Sequence, residues 1–238
     1  MKAEQLLSYG LPLFEGVTPA ELDQFDLAVS EQSLQPWQTI FDQEDDSFDL
    51  YFLLSGALLA VFWTTEGREI VFSRFQIGAF FGELAAFDGT PRSLAVVAKT
   101  DARVLVVKRH CFLELFNEVP LIRDRIAREL VGRVRKLTQR NMEMTTLTVE
   151  QRVGSYLLRL AAENNRLKAG AVIENAPTHA EIAGSIGANR EMVSRSISKL
   201  AKQGVIKSAR QRIEIRDPEA LSETLGNNLS RYDDYAKT

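Results

Sequence analysis

The stretch Thr178–Ile206, THAEIAGSIGANREMVSRSISKLAKQGVI, decides the fold of the C-terminal part of the chain. Thr178 and Glu181 have the spacing of a capping box, which predicts the start of a helix. Gly187 ends this helix, and Asn189 is suited to cap a second one. The stretch therefore predicts two short helices joined by a glycine turn.

The second helix has one apolar and one polar face. Val193, Ile197 and Leu200 recur at helical spacing and point inward, and Gly204 ends the helix. Two short runs, Val205–Ile206 and Ile213–Ile215, flank a basic tip and predict a strand-turn-strand hairpin before Asp217-Pro218. A helix-turn-helix followed by such a hairpin is a winged helix. The polar face is formed by Arg190, Glu191, Ser194, Arg195 and Ser198.

These outward side chains suit the edges of base pairs. An arginine can bond guanine twice in the major groove, and a glutamate can accept from the cytosine amino group, so Arg190, Glu191 and Arg195 are the expected base readers. The alternative is an ordinary solvated helix face. The positions expected to contact DNA are Thr178, His179, Asn189, Arg190, Glu191, Ser194, Arg195, Lys199 and Arg210.

Charge is divided unequally along the chain, and this favours DNA binding. The formal net charge is -3, which alone argues against a nucleic-acid partner. Residues 1–110, however, carry 8 basic and 16 acidic side chains, whereas residues 176–216 carry 8 basic and 3 acidic ones. Basic charge concentrated on one small domain is what contacts to phosphates require.

Length and composition set further limits. A chain of 238 residues with 45% hydrophobic content can bury two ordinary cores. No apolar run approaches the roughly 18 residues of a membrane span, and the first residues do not resemble a signal peptide, so we expect a cytoplasmic protein without a membrane partner. The single cysteine, Cys111, lies in an apolar stretch and is expected in the core rather than in a sensor site.

The N-terminal part is predicted to be rich in β-structure. Short apolar runs separated by turns at Gly56, Gly67, Gly78 and Gly89 are typical of an all-β sandwich or barrel. Short helices are expected near Pro19–Val29 and from about Lys108. The predicted strands are Ile40-Phe41, Leu50–Leu54, Leu58–Trp63, Ile70–Phe75, Leu94–Ala98 and Val104–Val107.

One string in this β-region, FFGELAAFDGTPRSLAVVA at residues 80–98, combines unusual chemistry. Gly82-Glu83 and Arg92-Ser93 bring backbone N–H groups, a carboxylate, a guanidinium and a hydroxyl to one short connection. Arg92 and Ser93 can bind a phosphate, while Glu83 can accept from a ribose hydroxyl. The string therefore indicates a site for a sugar phosphate.

The string resembles the phosphate-binding cassette of the cyclic-nucleotide-binding β-roll. Together with the winged helix, it resembles the Crp/Fnr family of bacterial transcription regulators, from Leu13-Phe14 through Ile215. The resemblance implies a homodimer that binds a palindromic TGTGA-like operator in double-stranded DNA, with RNA polymerase as an expected partner. It also implies a small-molecule effector, cyclic AMP or cyclic GMP, with no other cofactor.

Carried over by position, the resemblance assigns effector contacts to both the cassette and the central helix. Where cyclic-AMP-specific members present Thr-Ser to the adenine, this chain has Leu137-Thr138, and where the family usually has a glycine in an early turn it has Glu44. The alternatives are an internal Glu83–Arg92 salt bridge and a cassette that binds no nucleotide. The expected effector-binding residues are Gly82, Glu83, Leu84, Arg92, Ser93, Leu137 and Thr138.

A long helix is predicted from about Pro120 to Leu147, with a hinge at Thr145–Glu150 after it. Apolar and small residues alternate at spacings of three and four, as in a coiled coil, and this predicts pairing of two helices. The alternative is that this helix packs only onto its own β-roll. The expected dimerisation residues, called the seam below, are Ala127, Leu130, Val134, Leu137, Asn141 and Met144.

The sequence thus predicts an α+β protein with three parts. Residues 1–119 are expected to form a jelly-roll β-roll, residues 120–147 the dimerisation helix, and residues 148–238 the winged helix-turn-helix. Jelly rolls also house metal-dependent cupin enzymes, which need clustered histidine and carboxylate ligands. With only His110, expected to be partly buried, and His179, expected near a helix cap, the chain is predicted to have neither a catalytic nor a metal site.

Overall fold

A computed structural model describes residues 1–66, 69–163 and 168–224 of the chain. The chain divides into two compact units between Val134 and Arg135. Gly67, one of the predicted turn residues, lies outside the described residues.

The N-terminal unit is built on two antiparallel four-stranded sheets, ordered β1-β8-β3-β6 and β2-β7-β4-β5. This is the predicted β-roll. Leu50 pairs with Val107, and Phe52 pairs with Leu105 in the first sheet. The strands are β1 Val29–Leu34, β2 Thr39–Phe41, β3 Leu50–Ser55, β4 Leu58–Trp63, β5 Glu69–Arg74, β6 Phe80–Phe81, β7 Ala95–Ala98 and β8 Ala102–Val107.

Strand β3 shows why both faces of the first sheet are apolar. Because successive side chains of a strand point to opposite faces, Leu50 and Phe52 lie in one buried cluster, whereas Tyr51 and Leu53 lie in another. The second cluster fills the space between the two sheets. The first joins the β-roll to the helices of this unit, and it includes Ile126.

The helices of the N-terminal unit cover the outer face of the first sheet. Cys111 is fully buried in α4, and burial raises the pKa of its thiol to about 11, so it is a core residue, as predicted. Pro12–Phe14 form a single 3₁₀ turn. The α-helices are α1 Ala3–Ser8, α2 Pro19–Leu22, α3 Glu83–Asp88, α4 Arg109–Glu118 and the first part of α5 Pro120–Thr146.

The C-terminal unit contains the winged helix. Its core joins α6 to the helix-turn-helix through apolar residues that include Leu157, Ile182 and Leu200. A three-stranded antiparallel sheet, ordered β10-β11-β9, forms the wing. The elements are α6 Val149–Glu163, β9 Ala171–Glu174, α7 His179–Ile186, α8 Arg190–Lys202, β10 Ile206–Ala209, β11 Arg212–Ile215 and α9 Pro218–Glu223.

The predicted fold class is confirmed, but several local predictions were wrong. The helix predicted near Pro19–Val29 stops at Leu22, and the chain then enters the unpredicted strand β1 at Val29. Only Leu34 of that strand is buried, so its sequence shows little alternation. Strand β9 is too short to produce a clear pattern, and His110, expected to be partly buried, is exposed.

Candidate functional site

The cassette is built around a glycine that the structure requires. Gly82 follows β6 with a φ of +84°, a left-handed conformation that disfavours side chains, and it precedes α3. A Cβ atom at this position would lie 2.7 Å from Arg92 Nη1 and 3.0 Å from the Asp49 carbonyl oxygen. The absence of a side chain at Gly82 therefore lets its backbone come within hydrogen-bonding distance of the Arg92 guanidinium.

Arg92 lies inside the β-roll with only 3% of its surface exposed. Its Nη1 donates to the Gly82 carbonyl at 2.9 Å, its Nη2 to the Asp49 carbonyl at 2.8 Å and its Nε to Ser47 Oγ at 3.0 Å. The guanidinium carbon lies 4.1 Å from the ring centroid of Phe41. Arg92 thus joins three separate segments of the unit.

Burial lowers the pKa of Arg92, although Tyr51 and the carboxylates of Asp49, Asp45 and Glu83 act in the opposite direction. An arginine keeps its proton under all ordinary conditions. A buried positive charge is therefore present in the cassette, and protein oxygens and an aromatic face stabilise it.

Glu83 is also buried, with 6% of its surface exposed, but its partner is not Arg92. Its Oε1 lies 2.8 Å from Nη1 of Arg133 on α5, and Arg133 Nη2 donates to the Phe80 carbonyl at 2.7 Å. Arg133 also pairs with Glu129 at 3.1 Å. The internal Glu83–Arg92 salt bridge considered as an alternative is therefore not the pairing found.

The other cassette residues expected to bind an effector are on the surface. Leu84 and Ser93 are both exposed. Leu137 and Thr138 are exposed residues of α5 in the C-terminal unit, and their approach to the cassette stays a prediction. Glu44 adopts a φ of +69°, so the early turn keeps a left-handed residue even though it is not glycine.

Sequence reasoning did not find the partners of Glu83 and Arg92. Arg133 is one of several arginines of α5 that lie off the seam, with Arg125, Arg128, Arg135 and Arg140, and nothing in its local pattern distinguishes it from the rest. Phe41, Ser47 and Asp49 lie more than 40 residues before Arg92. Only the folding of the β-roll brings these residues together.

The helix-turn-helix forms as its caps predict. Glu181 N donates to Thr178 Oγ1 at 3.3 Å, and Thr178 N donates to the Glu181 carboxylate at 2.6 Å. Gly187 ends α7 with a φ of +62°. Asn189 caps α8 by accepting from Met192 N at 2.8 Å. These caps set where α8 begins, and hence which residues occupy its outer face.

The outer face of α8 is polar and accessible. Val193, Ile197 and Leu200 are buried in the core. Arg190, Glu191 and Arg195 are exposed, as the sequence predicted for base readers. A shallow groove runs along this face and is lined by Ser194, Arg195, Ser198, Lys199, Lys202 and Gln203.

Carboxylates hold two of the basic side chains of α8. Arg195 lies 3.5 Å from Glu191, one helical turn away, and Lys199 Nζ lies 2.8 Å from the Glu150 carboxylate at the start of α6. Both pairs are at the surface, where ion pairs contribute only about 0–1 kcal/mol. DNA phosphates or bases can therefore replace these partners at low cost.

His179, Thr178 and Arg210 are further residues that the sequence expects to contact DNA, and they lie outside α8. Burial and the nearby charge of Arg190 lower the pKa of His179, so the neutral form is favoured. Thr178 serves the α7 capping box. Arg210 is exposed in the turn between β10 and β11, beside Arg212, which pairs with Glu174 at 3.1 Å.

The seam residues of α5 are largely exposed. Val134 is 61% and Leu137 58% exposed, and Ala127 and Asn141 are also at the surface. Leu130 is only half-buried. In contrast, Ile122 and Ile126 of the same helix are fully buried against the N-terminal unit, and Leu130 packs partly against the same core. The helix α5 therefore does pack onto its own β-roll, while Val134 and Leu137 of the seam stay exposed.

Within the described residues 1–66, 69–163 and 168–224, no three or more His, Cys, Asp or Glu side chains are grouped so that they could hold a metal ion. Over the same residues, no helix combines the length and the apolar character that a membrane span needs.

Comparison with known proteins agrees with both halves of this arrangement. Residues 31–119 match the model of the cyclic nucleotide-binding domain, and residues 151–224 match that of the Crp-like helix-turn-helix domain. The chain is 31% identical to a cyclic AMP receptor protein of Thermus thermophilus over 90% of its own length and 96% of that protein. It is 26% identical to a CRP-like cAMP-activated global transcriptional regulator of Mycobacterium tuberculosis, over 88% and 94% of the two chains.

A solved structure gives the same result. A CRP-family transcriptional regulator from Thermus thermophilus superposes with a TM-score of 0.65 at 26% identity, covering 82% of this chain and 96% of that one. The similarity therefore extends over the β-roll, the long helix and the winged helix.

The close contact at Gly82 leads to a prediction about stability. Gly82→Ala should lower the free energy of unfolding of the N-terminal unit by about 2–5 kcal/mol, since left-handed backbone costs about 1–2 kcal/mol and overlap with Arg92 and Asp49 about 1–3 kcal/mol more. Urea unfolding followed by tryptophan fluorescence measures this, because Trp37 and Trp63 both lie in this unit.

Gly89→Ala is the matched control. Gly89 also has a left-handed φ, of +68°, but an added Cβ atom would lie 3.6 Å from Arg109 Nη2, an ordinary contact. This variant should lose only the backbone contribution, about 1–2 kcal/mol. Equal losses in the two variants would show that Arg92 is not held against Gly82.

Proposed function

The chain belongs to the Crp/Fnr family of bacterial transcription regulators, and on this basis we propose that it acts in the cytoplasm as a homodimer that reads a palindromic operator through α8. The observation that supports this proposal most directly is the outer face of α8. The helix is capped by Asn189 and packed into the core through its inner face, so Arg190, Glu191 and Arg195 are not needed for folding and are exposed. Transcription regulation, rather than catalysis, is the function of the family.

The three exposed side chains can turn to DNA bases with little loss of folding free energy. The arginine forks of Arg190 and Arg195 suit guanine, and the Glu191 carboxylate suits the cytosine amino group. A TGTGA-like half-site offers these bases. Because the Glu191–Arg195 pair is solvent-exposed, little stability is lost when both side chains turn to DNA.

A prediction follows for the two arginines. Arg190→Ala and Arg195→Ala should each weaken binding to the preferred operator by about 1–3 kcal/mol and change binding to random DNA much less, because base contacts carry the specificity. The operator is first selected from a random DNA library, and affinities are then measured at several salt concentrations. Arg103→Ala is the charge-matched control, since Arg103 lies in the N-terminal unit and pairs with Glu31. Equal weakening on both DNAs would make the two arginines phosphate contacts only.

A two-fold dimer follows from the operator and from the seam of α5. Two α8 helices spaced by about 34 Å, one turn of DNA, can read both half-sites at once. The exposed apolar residues Val134 and Leu137 recur at coiled-coil spacing, and Asn141 at a seam position would specify register. Met144, the last seam residue, is half exposed, and its side chain lies close to Gly187 in the turn of the helix-turn-helix.

Disruption of the seam should therefore prevent dimerisation without unfolding the protein. Val134→Glu is expected to give a folded monomer with greatly weakened operator binding, because one half-site loses its partner. Val131→Glu is the matched control: Val131 is similarly exposed but lies beside the seam, at a position where coiled coils tolerate charge. Sedimentation measures the oligomeric state, and a dimeric Val134→Glu protein would exclude this seam as the interface.

The β-roll is proposed to bind a cyclic nucleotide, cyclic AMP or cyclic GMP, as effector. The donor set fits a ribose phosphate, since Arg92 supplies a guanidinium, Ser93 a hydroxyl and Glu83 a carboxylate. Arg92 already donates to Gly82, Asp49 and Ser47, so a phosphate would have to take over bonds that protein oxygens now make. This exchange predicts weak binding, and Leu137, which offers no hydrogen bond, predicts loose selection of the base.

The same engagement of Arg92 favours a second candidate function, in which the cassette is purely structural and the protein binds its operator without a nucleotide. Calorimetric titration with cyclic AMP, cyclic GMP and a cyclic dinucleotide, combined with operator binding with and without each, distinguishes the two. Full operator binding by a protein that takes up no cyclic mononucleotide at millimolar concentration would support the second candidate.

Ser93→Ala is the variant that tests the phosphate contact most cleanly. Ser93 is exposed, so its loss should leave stability unchanged while lowering cyclic nucleotide affinity about tenfold or more, as expected for a lost charge-assisted hydrogen bond. Thr90→Ala is the control, because Thr90 is an exposed hydroxyl of the same connection that donates to Asp88. Removal of Arg92 is less informative, because it would leave the carbonyl oxygens of Gly82 and Asp49 without a donor.

A further inference from the structure

The junction between α5 and α6 is short and well bonded. Only Leu147 and Thr148 separate the two helices, and Leu147 is buried. Thr148 caps α6: its N–H donates to the Gln151 side chain at 2.9 Å, and its Oγ1 accepts from Gln151 N at 3.3 Å. This is the segment that the sequence predicted to be a hinge, and in the structure Thr148 gives α6 a capped start within it, at the corner between the two helices.

Glu143 lies one turn before this junction and is 4% exposed. Its Oε1 accepts from Ser155 Oγ at 2.9 Å, from Arg159 Nη1 at 3.1 Å and from Gln139 Nε2 at 3.2 Å. A carboxylate buried without partners would cost several kcal/mol, so these donors are required wherever Glu143 is buried. The carboxylate thereby ties the last turns of α5 to α6 on the far side of the junction.

Two further contacts support the same corner. Arg152 of α6 donates to the Met144 carbonyl at 3.4 Å. The Met144 side chain lies against Gly187, so that a Cβ atom there would be 3.2 Å from Met144 Cε. The end of α5 is therefore bonded to α6 and lies close to the turn of the helix-turn-helix.

From α6 the connection continues to the recognition helix. Val153 and Leu157 of α6 are fully buried in one core with Val193 and Ile197 of α8. Protein interiors are packed closely enough to transmit a displacement of one helix to its neighbours. Glu143 is thus linked to α8 through a continuous packed path.

We propose that Glu143 is a positioning residue for DNA reading: its carboxylate fixes the direction of α8 relative to the end of α5, and so sets the half-site spacing that the dimer accepts. The inference rests on the proposed function as a dimeric operator reader. A bend at Thr145–Glu150 would let each α8 find its half-site independently. With the corner held, only operators whose half-sites match the fixed spacing can be read by both subunits together.

The ionic nature of the corner supports a role in direction rather than in stability alone. A buried ion pair is often no more stabilising than apolar residues of the same volume, but its hydrogen bonds are directional. Three donors that converge on one oxygen from two helices allow fewer helix orientations than an apolar contact of the same size. Replacement of Glu143 and Arg159 by apolar residues should therefore preserve the fold but no longer fix the direction of α8 relative to the end of α5.

The test measures the preference for spacing. Palindromic operators are prepared with the central spacer unchanged or altered by one or two base pairs, and a DNA with a single half-site is included. The variants are Glu143→Gln, which leaves the Arg159 charge without its partner, and the double variant Glu143→Leu with Arg159→Met, which leaves no charge unpaired. Glu114→Gln, an exposed carboxylate on α4, is the charge-matched control.

For the native protein and for Glu114→Gln, altered spacers should weaken binding about tenfold or more relative to the preferred one. In both Glu143 variants this ratio should fall toward one, while the affinity for a single half-site stays within about twofold of the native value. Amide exchange should accelerate at the α5–α6 junction and stay slow in α8, which shows that the winged helix is still folded.

Two outcomes would overturn the inference and are distinguishable from each other. If the native protein prefers one spacing and the folded double variant keeps that preference, Glu143 does not set direction, although the proposed function stands. If the native protein binds no selected DNA, or binds it without any preference for spacing, the proposed dimeric reading fails as well. If the double variant does not fold, Glu143→Gln and Ser155→Ala, which removes one donor only, give the same comparison.

Discussion

Buried carboxylates have to be paired, and this constraint fixes α5 at two places. Glu83 in the cassette accepts from Arg133 of α5, and Glu143 of α5 accepts from Arg159 of α6. Each pair joins α5 to a different element, one inside the N-terminal unit and one inside the C-terminal unit. Because an unpaired buried charge is costly, neither contact can be released without a compensating partner.

This arrangement gives a physical basis for regulation in a protein of this family. The proposed effector, in competing for Glu83 or Arg92, would change what Arg133 and the cassette carbonyls must bond to. It can shift the population of conformations only by the difference in its affinity for them. The proposed corner at Glu143 would carry such a shift to α8, since little of it would be lost at the break between the helices.

The ion pairs on the surface proposed to read DNA are exposed instead of buried. Arg195, Glu191 and Lys199 are paired at the surface, where water and salt screen the charges and the pairs contribute little. Such partners are easily exchanged for phosphates and bases. The molecule thus combines ion pairs with a buried carboxylate, which are costly to break, with exposed pairs that contribute little on the face proposed to meet DNA.

The sequence by itself determined the two domain types, the bounds of α5, α7 and α8, and the outward position of Arg190, Glu191 and Arg195. These features depend on capping residues and on helical periodicity, which are local properties of the chain. Only the tertiary structure decided that Arg92 donates to Gly82, Asp49 and Ser47, that Glu83 pairs with Arg133, and that Glu143 is buried at a corner. Those partners are distant along the chain or are equivalent by pattern to other arginines, so the packing of the sheets and helices selects them.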